Sequence, residues 1–140
     1  MNNEKQEQHK YKVAFYARFA RESDEEVVAV QQNLLRDFGL KLGFENSKEY
    51  CDNGYSGLNI DRPAFSEMKR DIETGEIDVV IVKDISRIAR DYSLIGDWID
   101  YVDSKGIRFI TTDGTFGLTP FPHPAKILNS LTTQRRKNNP

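Results

Sequence analysis

Arginine recurs in the 140-residue chain at two points where an apolar tract gives way to a turn, and again before a proline. Arg18 and Arg21 follow the tract Lys12 to Ala17, Arg87 and Arg90 follow Ile77 to Lys83, and Arg62 stands just before Pro63. A guanidinium is a planar fork of donors that stays charged and matches phosphate oxygens two at a time. Several of them gathered in one place repel each other until an anion joins them. One reading of these arginines is therefore a phosphate or nucleic-acid site. The other is a set of solvated or locally paired side chains, with Asp84 and Asp91 placed to neutralise Arg87 and Arg90.

Other chemistries are poorly supplied. The single cysteine, Cys51, excludes an internal disulfide framework and a cysteine-rich zinc site. Two histidines, one near each end, leave little for a metal cluster. A magnesium-dependent phosphoacceptor needs carboxylates after the first strand, where this chain has Tyr16, Arg18 and Ala20. A nucleotide fold wants a glycine-rich first turn, and none is present. Twenty basic against 22 acidic residues give a net charge of −2, so a general nucleic-acid coat is excluded but a local basic site is not. The polar start MNNEKQEQHK reads as a tail without a secretory signal, and no apolar run approaches the ~20 residues of a membrane span.

The elements that must position the arginines follow from periodicity. Lys12 to Ala17 reads as a buried strand, followed by a loop over 18–22. Ser23 with Glu26 fits a capping box, and Val27, Val30, Leu34, Phe38 and Leu42 form a helical stripe expected to face the core and stop near Gly43. Phe44 to Cys51 reads as a second strand, and the turn residues of 52–57 as a loop, with Gly54 and Gly57 either hinges or ordinary turn glycines. Pro63 opens a second helix with Phe65, Met68 and Ile72 inward and Gly75 as its stop. Ile77 to Lys83 is apolar almost throughout, as a central parallel strand is. A third helix over 91–105 carries Leu94, Ile95, Trp98, Ile99 and Val102 on one face, and Ile107 to Thr111 is the last strand. The alternation predicts an α/β fold with a mostly parallel sheet of four or five strands and helices on both faces. Cys51 is expected as a small buried group, Trp98 as core or a protomer contact, and His123 as solvated.

Four segments together resemble the catalytic domain of the serine recombinases, the group of transposon resolvases, DNA invertases and large serine integrases. They are YARFARES at 16–23, DNGYSG at 52–57, DRPAF at 61–65 and IDVVIVKDISRIARD at 77–91; IRFITTDG at 107–114 agrees with the strand that follows. The resemblance covers residues 11–116, between a tail of 1–10 and a proline-interrupted basic segment of 117–140. It implies the three-layer resolvase fold. It also implies attack by a serine on a DNA phosphate, giving a 5′-phosphoserine link and a free 3′-hydroxyl. It implies no metal and no cofactor, a homo-oligomer (dimer or tetramer), no membrane, and a place in the cytoplasm. Carried over by motif, Arg18, Arg62, Arg87 and Arg90 are the arginines of the catalytic pocket, with Tyr16, Asp52 and Ser86 in support.

The pattern departs at one position. Where the family has its nucleophile, this chain has Ala20, whose methyl has no lone pair. Ser23 is better explained as the helix cap, and Ser56 belongs to a loop. The resemblance therefore implies a recombinase catalytic domain without cleavage activity, or a regulatory or remnant module that associates with an active recombinase. A small-molecule phosphate binder is a third reading. The long helix and DNA-binding domain of the family have no counterpart in the short segment after Gly117, so tight sequence-specific DNA binding is not expected of this chain alone.

Overall fold

The computed structural model describes residues 10–59 and 61–117. Four strands, β1 (Lys12–Phe19), β2 (Asn46–Asn53), β3 (Val79–Val82) and β4 (Arg108–Thr111), alternate with three helices, α1 (Glu25–Lys41), α2 (Pro63–Glu73) and α3 (Tyr92–Lys105). All strand pairs are parallel and the sheet order is β2-β1-β3-β4. The first and third strands are thus neighbours, which puts the two arginine-bearing exits side by side. The polar tail expected before residue 10, the basic segment from residue 118 on, and His123 lie outside the described residues.

Side chains alternate across the sheet and make two cores. Val13, Phe15, Ala17, Phe19, Val79, Ile81 and Ile110 face α1. Ala14, Tyr16, Val80, Val82 and Phe109 face the other way, onto Phe65, Met68 and Ile72 of α2 and Trp98 and Val102 of α3. Trp98 is core, packed between Phe65 and Phe109 at 5.4 and 5.6 Å between ring centroids. Asp91 caps α3 by accepting the Ser93 N–H at 2.7 Å, and Gly106 ends that helix with the positive φ of a left-handed cap. Asp91 is therefore spent on the helix rather than on Arg90.

Four expectations need correction. The loop expected over 18–22 starts later, because β1 and β2 stay paired through Arg18↔Asp52 and Phe19↔Asn53. Arg18 and Asp52 are thus strand residues with fixed directions. Ser23 does not cap α1: its hydroxyl donates to the Arg21 carbonyl at 3.3 Å, and the N-cap is Asp24, which makes no side-chain cap. The stripe assigned to the core is also rotated. Val27, Val30 and Leu34 are exposed, while Gln31, Leu35 and Gly39 are buried, with Phe38 and Leu42 half-buried beside them. The cause is Phe15, whose ring lies where a Cβ on Gly39 would come within 2.5 Å of it, so α1 sits down on its glycine. Cys51 is half-buried rather than buried, and burial pushes its thiol up.

Candidate functional site

The site lies beyond the carboxyl ends of β1 and β3, where open parallel sheets place their ligands. Tyr16 and Arg18 project from β1 toward the α2 and α3 side. The Tyr16 hydroxyl donates to Asp52 Oδ2 at 2.7 Å. Asp52 also accepts the Ala64 N–H at 2.8 Å and the Phe65 N–H at 3.0 Å. It therefore caps α2 from a neighbouring strand, because the N-cap residue Arg62 makes no side-chain cap of its own. The Arg62 side chain turns inward over the Phe65 and Tyr16 rings, at 4.6 and 5.7 Å to their centroids.

The tight turn at Ile85–Arg87 ties the arginines together. Asp84 caps it by accepting the Ser86 N–H at 3.0 Å, and the Ser86 hydroxyl donates to the same carboxylate. The Arg87 carbonyl then accepts from Arg18 Nε at 3.1 Å and from Arg62 Nη1 at 3.2 Å. Arg18 also donates to the carbonyls of Ser86 and Tyr55, at 2.5 and 2.9 Å, and Arg62 Nη2 donates to that of Ile88. In return, Arg87 Nη1 donates to the Arg18 carbonyl at 2.9 Å. Arg87 Nε lies 3.8 Å from Asp84, the local neutralisation anticipated from sequence.

Arg90 joins through Gly57. Its backbone N–H donates to the Gly57 carbonyl at 3.0 Å, and a Cβ on Gly57 would come within 2.7 Å of Arg18 Nη2 and 2.9 Å of Arg90 Cγ. Gly57 thus leaves room for the Arg18 and Arg90 side chains, which a Cβ there would crowd. The loop that carries it folds over the end of β1, with the N–H groups of Gly54 and Tyr55 both donating to the Phe19 carbonyl. Ala20, the next residue, is exposed at this mouth.

The four arginines of the motifs therefore meet, but in two layers. Arg18 and Arg62 are 0% and 1% exposed and hold main-chain carbonyls, whereas Arg90 is exposed and Arg87 half-buried. Burial lowers the Arg18 pKa most, and the neighbouring charges of Arg62, Arg90 and Arg87 lower it further. Burial likewise lowers that of Arg62 and raises that of the Tyr16 phenol. Two carboxylates lie within the cluster itself, Asp52 against Tyr16 and Asp84 against Arg87, among four guanidiniums. Arg62 Nε is buried with no acceptor, an N–H still unspent. Such an arrangement attracts an oxyanion and can bear the charge of a phosphoryl group. Ser56 does not point its hydroxyl at this charge; its Oγ accepts the Leu58 N–H at 3.0 Å.

Sequence reasoning named the side chains but missed the carbonyls of Tyr55, Ser86, Arg87 and Ile88 that fix them. It also missed Asp52 as the cap of α2. A signal for the latter exists: Arg62-Pro63 opens a helix with a residue type that caps poorly, so an outside acceptor is required. Among the described residues, no group of three or more His, Cys, Asp or Glu is placed to hold a metal, and no helix is long and apolar enough to cross a membrane.

The chain belongs to the resolvase N-terminal domain family, which matches residues 13–131, and is a serine recombinase catalytic domain. Among solved structures it resembles the N-terminal catalytic domain of TP901-1 integrase, with TM-score 0.71 and 23% identity over 92% of this chain and 99% of that one. It also resembles a resolvase family site-specific recombinase from Streptococcus pneumoniae, at 0.66 and 26% over 92% and 90%. The C-terminal catalytic domain of ISC1926 TnpA, an IS607-like serine recombinase, follows at 0.65 and 20% over 88% and 80%. Comparison with curated proteins gave no match.

Proposed function

We propose that this chain binds the DNA backbone at a recombination site through the arginine cluster and does not cut it, because Ala20 stands where a nucleophile is needed. The observation that supports the reading is the convergence of four guanidiniums at the carboxyl end of β1, the strand that Ala20 follows directly. The buried pair, Arg18 and Arg62, acts as positioning residues: they hold the turn that carries Arg87 and the segment up to Arg90. The outer pair, Arg87 and Arg90, faces the phosphate. Ser86 and Asp84 shape that turn, and Tyr16 with Asp52 fixes the floor. The reaction class, with a nucleophile restored, is transfer of a phosphodiester from a 3′-oxygen to a serine hydroxyl, with no metal ion and no cofactor. The protein works as a homo-oligomer on DNA in the cytoplasm.

The second reading, a regulatory module that joins an active recombinase, is favoured by the same Ala20. The two differ after Ala20→Ser: the first gains cleavage, while the second forms mixed oligomers and stays inactive.

DNA contact is tested through Arg90, which is exposed and makes no side-chain bond to the fold among the described residues. Arg90→Ala should weaken binding to duplex DNA and reduce the slope of log affinity against log salt by about 0.9, the signature of one lost phosphate contact. Unchanged affinity and slope in a folded variant would remove Arg90 from the interface.

A further inference from the structure

The apolar residues of α1 that the core does not use lie in one line. Val27, Val30 and Leu34 are 51, 60 and 59% exposed and are spaced three and four apart, the seam that a second helix covers. The line runs on into half-buried Phe38 and borders a groove of about 290 Å³ whose walls include Gln31, Leu34, Phe38, Lys41 and Lys83. Gln31 in that groove is only 8% exposed, and its Oε1 accepts no hydrogen bond. An exposed apolar seam bordering such a groove is a surface that a partner covers.

We propose that the partner is a second copy of this chain, with the two α1 helices packed antiparallel about a two-fold axis at Leu34. This contact is independent of the DNA reading. The charges on the helix suit that symmetry. The first turn carries Glu25 and Glu26 and the last carries Lys41, so antiparallel packing sets each acidic end against a basic end and opposes the helix dipoles. In this register Leu34 meets its own copy, Val30 meets Phe38, and Lys41 lies opposite Val27. Helical side chains lean toward their own N-terminus. The Lys41 side chain of the second copy therefore leans from Val27 along the groove toward Glu26 and Val30 of the first.

The chain's own residues 118–140 are the competing occupant. They carry Lys126, Arg135, Arg136 and Lys137 and no acid, and the groove already holds Lys41 and Lys83 against the single acid Asp37. Like charge disfavours them there. A contact confined to one helix seam is weak and is best read by cross-linking.

The test uses the full chain with Cys51→Ala, which removes its only cysteine. Leu34→Cys is compared with Ala29→Cys, an exposed position on the other side of α1. Under mild oxidation Leu34→Cys should form a disulfide-linked dimer about tenfold faster than Ala29→Cys. Adding Lys41→Glu should erase that advantage, and Glu26→Lys together with Lys41→Glu should restore it. Equal rates for the two cysteines would overturn the proposal. So would cross-linking that appears only after residues 118–140 are deleted, since those residues would then be the cover.

Discussion

Replacing Ala20 by serine should give a protein that becomes covalently attached to DNA. The change adds one oxygen at the exposed residue that follows β1, the strand whose carboxyl end carries the arginine cluster. With it in place, the seryl Oγ gives up its proton and bonds to phosphorus. The bond from phosphorus to the 3′-oxygen breaks, and that oxygen takes a proton to leave as a hydroxyl. Arg87 and Arg90 would carry the charge that builds on the phosphoryl oxygens. In protease triads, loss of the nucleophile alone costs about 10⁶ in turnover, so the gain on restoring it is of that order at most. The measurement is a detergent-resistant adduct on supercoiled DNA from the locus encoding the chain, with phosphoserine at the 5′ end. The unaltered chain should give none, because Ser23 donates to the Arg21 carbonyl and Ser56 is bound to its own loop. No adduct from folded, DNA-bound Ala20→Ser would favour the regulatory reading.

Asp52→Ala should be the most damaging change to the fold. Asp52 is 1% exposed and serves three groups at once: the Tyr16 hydroxyl and the N–H groups of Ala64 and Phe65. Removing it leaves a buried phenol without an acceptor, at about 1–3 kcal/mol. It also uncaps α2, at about 1 kcal/mol. The Arg62 charge loses its nearest carboxylate as well. Together these reach roughly 4 kcal/mol, a large part of the 5–15 kcal/mol that holds a domain folded. Asp52→Asn keeps one carbonyl oxygen and should lose about half as much. Denaturant midpoints give both values. If Asp52→Ala costs under about 1 kcal/mol, the strand-to-helix cap is not a working part of the structure.

How much of this the sequence discloses depends on what decides each feature. The order of strands and helices is legible because burial imposes its period on residues such as Ile77 to Lys83 and on the α2 trio Phe65, Met68 and Ile72. The orientation of α1 is not, because Gln31 and Gly39 hold buried positions that hydropathy assigns to solvent. A ring on β1, Phe15, selects Gly39, and that is a tertiary fact. The same division runs through the site. The arginines announce themselves by type and place, but their two layers do not. Arg18 is buried because β1 runs two residues further than its apolar tract, and its charge is held by carbonyls that any residue could supply. The exposed seam of α1 was visible as a stripe, and its outward direction is what makes it available to a second copy.

The central claim is that the outer arginines meet a DNA phosphate beside Ala20. It is tested most directly by titrating a short duplex into the isotope-labelled chain at low salt while following arginine Nε–H and backbone amide resonances. The account predicts that Arg87 and Arg90 Nε–H and the Ala20 amide shift together, while Arg18 moves little because its donors are already occupied. Shifts confined to the far end of the sheet, around Lys12 and Lys48, with Arg87, Arg90 and Ala20 unmoved, would contradict it.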